Sequence, residues 1–173
     1  MENIYLIGFM GTGKSTVGRM IAQDLGLKFV DTDKMVEDKT GKAILDIFEE
    51  SSEEDFRKLE TEVLKEITEE KGMIVSTGGG IVVTRGNLEL MKQSGAVFTL
   101  IADAHTIHER LSQDNTCRPL LEVENPLDEI KRLLFERAAF YINAHHIIET
   151  SDITAREAAD QIISILKSEG RIS

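Results

Sequence analysis

Three scarcities exclude several classes of protein. The single cysteine, Cys117, rules out an intramolecular disulfide and fits a reducing compartment. Lysine and arginine number 20 against 31 acidic residues, and the net charge of −11 argues against a general nucleic-acid binder, since phosphate backbones are held by basic surfaces. The N-terminus has no basic segment, and its apolar run at residues 4–7 is too short for a signal peptide or a membrane span. We therefore expect a cytoplasmic protein with neither a nucleic-acid nor a membrane partner.

What the sequence does contain is an alternation of apolar runs and amphipathic stretches over 173 residues. The apolar runs predict strands at Asn3–Gly8, Lys28–Asp31, Met73–Ser76, Ala96–Ile101 and His146–Glu149. Helical periodicity covers Lys14–Leu25, Lys34–Lys39, Ala43–Glu50, Glu53–Glu70, Arg85–Gln93, Ala104–Ser112, Pro126–Ala144 and Thr154–Lys167. Short apolar strands alternating with helices predict a parallel sheet covered on both faces, hence a three-layer α/β fold, which we expect to form a single domain over residues 1–173.

Local signals mark three helix ends. Thr154 is expected to cap the last helix, with Glu157 at its third position. Gly72 and Gly95 fall just past helices and just before strands, where a glycine commonly ends a helix in the left-handed conformation.

The segment GFMGTGKS, Gly8 to Ser15, matches the phosphate-binding pattern G-x-x-x-x-G-K-[ST], and it follows a strand and opens a helix as that pattern requires. Its glycines let backbone N–H groups turn toward an anion, and the start of the helix adds positive potential. Lys14 is expected to reach the β- and γ-phosphates and the Ser15 hydroxyl to bind Mg²⁺. The alternative is a glycine-rich turn that binds nothing.

Two further features of the sequence indicate which type of nucleotide binds. The spacing does not match G-x-G-x-x-G, which excludes a dinucleotide fold, and the absence of an N-K-x-D signature favours ATP over GTP. The predicted ATP contacts in this segment are Gly11, Thr12, Gly13, Lys14, Ser15 and Thr16.

Two aspartates follow the second predicted strand. Asp31 and Asp33 are two residues apart, so both side chains can leave the strand end on one side. One would help to hold Mg²⁺ through its water shell, and the other would accept a hydrogen bond from an acceptor hydroxyl. The alternative is that Asp33 only caps a helix starting at Lys34.

A glycine run and three arginines complete the candidate site. Residues 78–80 are three glycines after the third strand, which allow a ligand to approach the backbone closely; a tight left-handed turn is the alternative. Arg57, Arg118 and Arg137 stand in an acidic background, and guanidinium groups suit bidentate recognition of a carboxylate or neutralisation of a transferring phosphoryl group. Ordinary salt bridges are the alternative for each arginine.

Taken together, these residues resemble the shikimate kinase family along essentially the whole chain. Six motifs occur in order: GFMGxGKSTxG at 8–18, DxD at 31–33, FRxxE at 56–60, GGG at 78–80, RPLL at 118–121 and ERxxxY at 136–141. The resemblance implies a nucleoside monophosphate kinase type of P-loop fold, with five parallel strands in the order 2-3-1-4-5 and a mobile lid at about 112–124. It also implies transfer of the γ-phosphoryl group of ATP to the 3-hydroxyl of shikimate, a step toward chorismate and the aromatic amino acids.

The resemblance assigns the acceptor site residue by residue. Asp33 would contact the shikimate ring hydroxyls, including the one that attacks, and Arg57 and Arg137 would hold the carboxylate. Glu60 would orient Arg57. The substrate-binding set is Asp33, Arg57, Glu60, Gly79, Gly80 and Arg137.

The donor side is assigned in the same way. Lys14 and Ser15 would act on phosphate and Mg²⁺, with Asp31 reaching the metal through water. Arg118 would close over the phosphates from the lid, and Arg110 resembles the arginine that stacks on adenine. Lys14, Asp33 and Arg118 form the catalytic set, and the family implies a monomer.

Two alternative functions remain open. Another small-molecule kinase of the same fold, such as a gluconate or nucleoside monophosphate kinase, would share the phosphate loop; two arginines placed for one carboxylate favour shikimate. A regulatory nucleotide-binding module without turnover would typically lack Asp33 or one of the arginines.

Overall fold

The computed structural model describes residues 1–50, 52–114, 121 and 123–172. Five parallel strands form one sheet in the order β2-β3-β1-β4-β5, as the resemblance implies. The strands are β1 (Asn3–Ile7), β2 (Lys28–Asp31), β3 (Met73–Ser76), β4 (Gly95–Ile101) and β5 (His146–Glu149). Each predicted strand is therefore present, with its bounds correct to within one residue.

Helices cover both faces of this sheet. They are α1 (Lys14–Leu25), α2 (Thr32–Thr40), α3 (Ile44–Glu50), α4 (Glu53–Glu69), α5 (Asn87–Ser94), α6 (Ala104–Ser112), α7 (Pro126–Tyr141) and α8 (Ala155–Ser168), with a 3₁₀ turn at Ile81–Val83. Among the described residues, no helix is both long and apolar enough to cross a membrane.

Alternation along β1 produces the two cores. All five residues of β1 are buried. Tyr5 and Ile7 pack in the cluster that includes residues of α4, α5 and α7, whereas Ile4 and Leu6 pack in the cluster with α1 and α8. Since successive side chains of a strand point to opposite faces, this one strand supplies both layers, which is why residues 4–7 are apolar.

Two of the predicted helix ends differ from the structure in an informative way. The second helix begins at Thr32 and not at Lys34, because Asp31 is its N-cap and accepts a hydrogen bond from the backbone N–H of Asp33. The interpretation of Asp33 as the cap is therefore wrong. Gly95 follows α5 with an extended φ of 175° rather than a left-handed one. A Cβ there would lie 1.9 Å from the carbonyl oxygen of Asn3 in the neighbouring strand, so close packing explains this glycine.

The other signals agree with the structure. Thr154 and Glu157 form the reciprocal capping box at the start of α8. Gly72 has a left-handed φ of 75° before β3. The predicted lid, 112–124, falls between α6 and α7, and its residues 115–120 and 122 lie outside the described residues.

Candidate active site

Three strand ends meet at one edge of the sheet. Asp31 at the end of β2 pairs in register with Ser76 at the end of β3, and Ser76 pairs with Leu6 of β1. The loops that follow these strands therefore start side by side. Ligands of parallel α/β sheets bind at this carboxyl edge.

The phosphate loop leaves β1 with its backbone arranged for an anion. Gly8, Gly11 and Gly13 have φ values of 138°, 77° and 93°, a region that side chains other than glycine rarely occupy. Gly13 is the N-cap of α1 and supplies no side-chain acceptor to that helix. The N–H groups of the first turn are thus available to a phosphate.

Lys14 and Ser15 lie at the base of this loop. Lys14 is buried, and its ammonium donates to the carbonyl oxygen of Phe9 at 2.9 Å. The Ser15 hydroxyl donates to Asp31 Oδ2 at 2.9 Å and lies 3.0 Å from Ser76 Oγ. A hydroxyl and a carboxylate side by side present the hard oxygen ligands that suit Mg²⁺.

Arg110 joins the phosphate loop to the segment after β5. Its guanidinium donates to the carbonyl oxygen of Gly11 at 3.4 Å and to the carbonyl and hydroxyl oxygens of Thr150 at 2.5 and 3.2 Å. The buried Thr150 hydroxyl is 3.3 Å from the carbonyl oxygen of Thr12. Arg110 is thereby placed beside the loop. Thr16, in contrast, is solvent-exposed in the first turn of α1.

A cavity of about 570 Å³ opens beside the phosphate loop, between the sheet edge and helices α2 to α4. It contains every residue of the predicted acceptor set: Asp33, Arg57, Glu60, Gly79, Gly80 and Arg137. Ile44, Leu45, Phe48, Phe56 and Val83 provide an apolar wall. Met10 of the phosphate loop and Asp31 also line it, so the cavity adjoins that loop.

Gly78 separates two carboxyl groups in this cavity. A Cβ on Gly78 would lie 2.6 Å from Asp33 Oδ1 and 2.6 Å from Glu60 Oε1, so these two oxygens are separated by no more than twice that distance. The Gly78 N–H donates to the buried Thr32 hydroxyl at 2.9 Å. None of the three glycines at 78–80 has a positive φ, so the left-handed turn interpretation is wrong. Space, and not backbone freedom, requires glycine at position 78.

Glu60 differs from the other acids of the cavity in its protonation. Its side chain is almost fully buried, and burial together with the charge of Asp33 raises its pKa to about 8, against the opposing effects of Arg57 and Arg137. Glu60 is therefore predominantly neutral at pH 7. The lining contains five acids and three bases: Asp31, Asp33, Glu37, Glu53 and Glu60, with Lys34, Arg57 and Arg137. Because Glu60 is neutral, the net negative charge of the cavity lining is smaller than this count of acids and bases indicates.

The two arginines reach the cavity from different helices. Arg57 of α4 forms an ion pair with Glu53, one turn earlier, at 2.5 Å. Arg137 of α7 is half-buried, and its guanidinium lies 5.7 Å from the centre of the Phe9 ring. Both arginines line the same cavity as Asp33 although they are far apart in sequence. Arg118 lies outside the described residues.

Sequence reasoning missed several residues that shape this site. Glu53, an exposed acid in the first turn of α4, pairs with Arg57, and its only signal is the four-residue spacing between them. Three other residues contact site residues from distant parts of the chain: Thr32 contacts Gly78, Thr150 contacts Arg110, and Phe9 contacts Arg137. No local spacing in the sequence predicts these contacts. Tyr141 ends the ERxxxY motif but was assigned no role; its position four residues after Arg137 places both on the same face of a helix.

Comparison with known proteins identifies relatives over nearly the full chain. The family model described as "Shikimate kinase" matches residues 10–167. A shikimate kinase from Thermodesulfovibrio yellowstonii is 46% identical over 163 residues, 94% of each chain. A solved structure, shikimate kinase from Acinetobacter baumannii in complex with shikimate, matches with a TM-score of 0.92 and 42% identity over 98% of this chain and 94% of that one. The enzyme from Aquifex aeolicus matches with a TM-score of 0.81 and 36% identity, covering 97% and 98% of the two chains.

Proposed function

The chain belongs to the shikimate kinase family, ATP-dependent kinases that act on a hydroxyl of shikimate, and we propose that it transfers the γ-phosphoryl group of ATP to the 3-hydroxyl of shikimate with the residues described above. One observation carries the assignment of residues: Asp33, Arg57 and Arg137 line a single cavity that adjoins the phosphate loop.

The cavity suits a small polyhydroxylated acid. Arg57 and Arg137 approach from two helices, and their guanidinium groups would bind the carboxylate. Asp33 would accept a hydrogen bond from the attacking hydroxyl. Gly80 leaves room for the ring, since a Cβ there would meet nothing within 4 Å, and Gly79 would line the same pocket. The relative from Acinetobacter baumannii was solved with shikimate bound.

The donor side suits Mg²⁺ and ATP. Ser15 would ligate Mg²⁺ directly and Asp31 through water, which fits the 2.9 Å contact between their oxygens. Bound there, Mg²⁺ would supply positive charge against the phosphate oxygens, held in place by Ser15 and Asp31. Backbone N–H groups of Gly11 to Thr16 would surround the phosphates, and Arg110 would lie against the adenine.

Phosphoryl transfer depends mainly on position and charge, because its transition state is loose. Lys14 would bind the β- and γ-phosphates in place of its contact with the Phe9 carbonyl. Asp33 would align the attacking hydroxyl and receive its proton. Because Glu60 is neutral, it would not add a second negative charge near the incoming phosphoryl group. Arg118 would add positive charge from the lid, whose closure would exclude water.

The proposal extends to the setting of the enzyme. It would act in the cytoplasm as a monomer on small molecules, without a nucleic-acid or membrane partner.

An acceptor panel tests the proposed function. Purified protein with Mg²⁺ and ATP is assayed for ADP release with shikimate, gluconate or a nucleoside monophosphate. We expect release to depend on shikimate and to fall to background when Mg²⁺ is chelated. Release with another acceptor alone would indicate a different kinase, and no acceptor-dependent release would indicate a nucleotide-binding module.

A further inference from the structure

The chain has only two tyrosines, and both bury a hydroxyl in a hydrogen bond. Tyr5 lies in β1, with its hydroxyl 2.7 Å from Ser94 Oγ. Tyr141 is the last residue of α7, and its hydroxyl donates to the carbonyl oxygen of Gly79 at 2.7 Å. Only Tyr141 thus reaches the glycine run of the acceptor cavity.

Arg137 lies one helical turn before Tyr141 on the same face of α7, and both Arg137 and Gly79 line the acceptor cavity. Burial raises the pKa of Tyr141 to about 12, although the nearby positive charge of Arg137 acts in the opposite direction. The phenol therefore keeps its proton at all physiological pH values. Because that proton is directed at Gly79, the lone pairs of the hydroxyl remain available as acceptors for Arg137.

The rest of Tyr141 is fixed by the sheet. Its carbonyl oxygen accepts a hydrogen bond of 2.6 Å from the Thr99 hydroxyl of β4. On the other side of the contact, a Cβ on Gly79 would lie 3.3 Å from the backbone nitrogen of Met10, so the glycine run rests on the phosphate loop. A single residue consequently links the sheet to the glycine run, one helical turn from Arg137.

We propose that Tyr141 is a positioning residue for the acceptor: its hydroxyl fixes the Arg137 guanidinium relative to Gly79 and thereby sets the affinity for the substrate carboxylate. The inference rests on the proposed function, in which Arg137 binds that carboxylate. It assigns Tyr141 no contact with the reacting atoms. Its loss should therefore weaken acceptor binding and leave the chemical step and ATP binding intact.

The test is Tyr141→Phe, which removes one oxygen atom and keeps the ring. We expect the KM for shikimate to rise roughly three- to tenfold, the size of one lost hydrogen bond, with kcat and the KM for ATP changed less than about twofold. Tyr5→Phe is the matched control, because it removes an equally buried hydroxyl on β1, in the middle of the sheet and outside the acceptor cavity. It should lower the melting temperature and leave both KM values unchanged.

A double-mutant cycle separates positioning from general packing. In the Arg137→Ala background, Tyr141→Phe should produce no further rise in the KM for shikimate, since the group that it positions is gone. If Tyr141→Phe unfolds at the assay temperature, the same cycle is measured as the affinity for shikimate, by titration at a lower temperature at which the variant is folded.

Three outcomes have different meanings. An unchanged KM for shikimate in folded Tyr141→Phe, or a rise that persists in the Arg137→Ala background, would overturn the inference. Failure of the proposed function is distinct, because wild-type protein would then show no shikimate-dependent ADP release.

Discussion

Gly78→Ala should displace both carboxyl groups that flank the glycine. The new methyl would lie 2.6 Å from Asp33 Oδ1 and from Glu60 Oε1, whereas ordinary contact begins at 3.4 Å. Each oxygen would have to retreat by about 0.8 Å, and misplacements of about 1 Å can reduce turnover roughly a hundredfold. Since the φ of Gly78 is not positive, alanine adds no left-handed strain, and the effect is one of space alone.

The expected results are a large loss of activity and a moderate loss of stability. We expect kcat/KM for shikimate to fall roughly 30- to 100-fold. Overpacking should lower the free energy of unfolding by about 1–3 kcal/mol, and each kcal/mol lowers the melting temperature by about 2–4 °C in a chain of this size. A coupled assay of ADP release measures kcat/KM, and thermal denaturation measures the melting temperature.

Two other glycines are matched controls. A Cβ on Gly80 would meet nothing within 4 Å, so Gly80→Ala should leave the melting temperature unchanged or slightly higher. A Cβ on Gly18 in α1 would lie 2.8 Å from the Phe29 ring, on the opposite core, so Gly18→Ala should alter stability without altering the KM for shikimate. If Gly78→Ala kept kcat/KM within about twofold of wild type in a folded protein, the reasoning that Asp33 must stay in place would be refuted.

Three further predictions concern other residues of the site. Arg137→Ala should raise the KM for shikimate roughly ten- to hundredfold and that for ATP much less, as expected for a lost charge-assisted contact. Arg132→Ala removes two surface ion pairs of the same helix and should change neither KM. Equal rises for both substrates in Arg137→Ala would contradict its placement. Glu60→Gln should remove a pH dependence of stability: the folded protein holds the Glu60 proton up to a pKa of about 8 and the unfolded chain releases it near 4.5, so the wild-type free energy of unfolding should fall as pH rises between these values. Urea unfolding at several pH values checks this, and an equal slope in both proteins would show that Glu60 is not protonated. Thr150→Val should raise the KM for ATP roughly two- to fivefold and leave that for shikimate unchanged, because the hydroxyl next to Arg110 and the carbonyl of Thr12 is lost; an effect on shikimate alone would contradict it.

The sheet was predictable because its signals are local. Five apolar runs lie between helical patterns. A strand that is buried on both faces must consist mainly of apolar residues. Helix ends were less predictable, since α2 starts two residues early at Thr32 and α7 ends at Tyr141 rather than Ala144. Whether Asp31 or Asp33 is the N-cap depends on which side chain accepts a backbone N–H of the first turn, and spacing does not fix that geometry; in the structure Asp31 accepts the N–H of Asp33.

The site was predictable in its residues and not in its contacts. The phosphate loop and DxD are contiguous patterns with known consequences. The arginines stood out in an acidic background, and their individual roles came from a resemblance spread over the chain. The Gly78 contacts with Asp33 and Glu60 join three separate elements. The raised pKa of Glu60 likewise depends on burial that tertiary packing creates. This burial cannot be inferred from the spacing of residues in α4.

A crystal structure with shikimate and ADP bound tests the central claim most directly. The account predicts that the carboxylate lies between the guanidinium groups of Arg57 and Arg137, with a ring hydroxyl within hydrogen-bonding distance of Asp33. Shikimate bound elsewhere, or with its carboxylate away from both arginines, would contradict the assignment of the acceptor site.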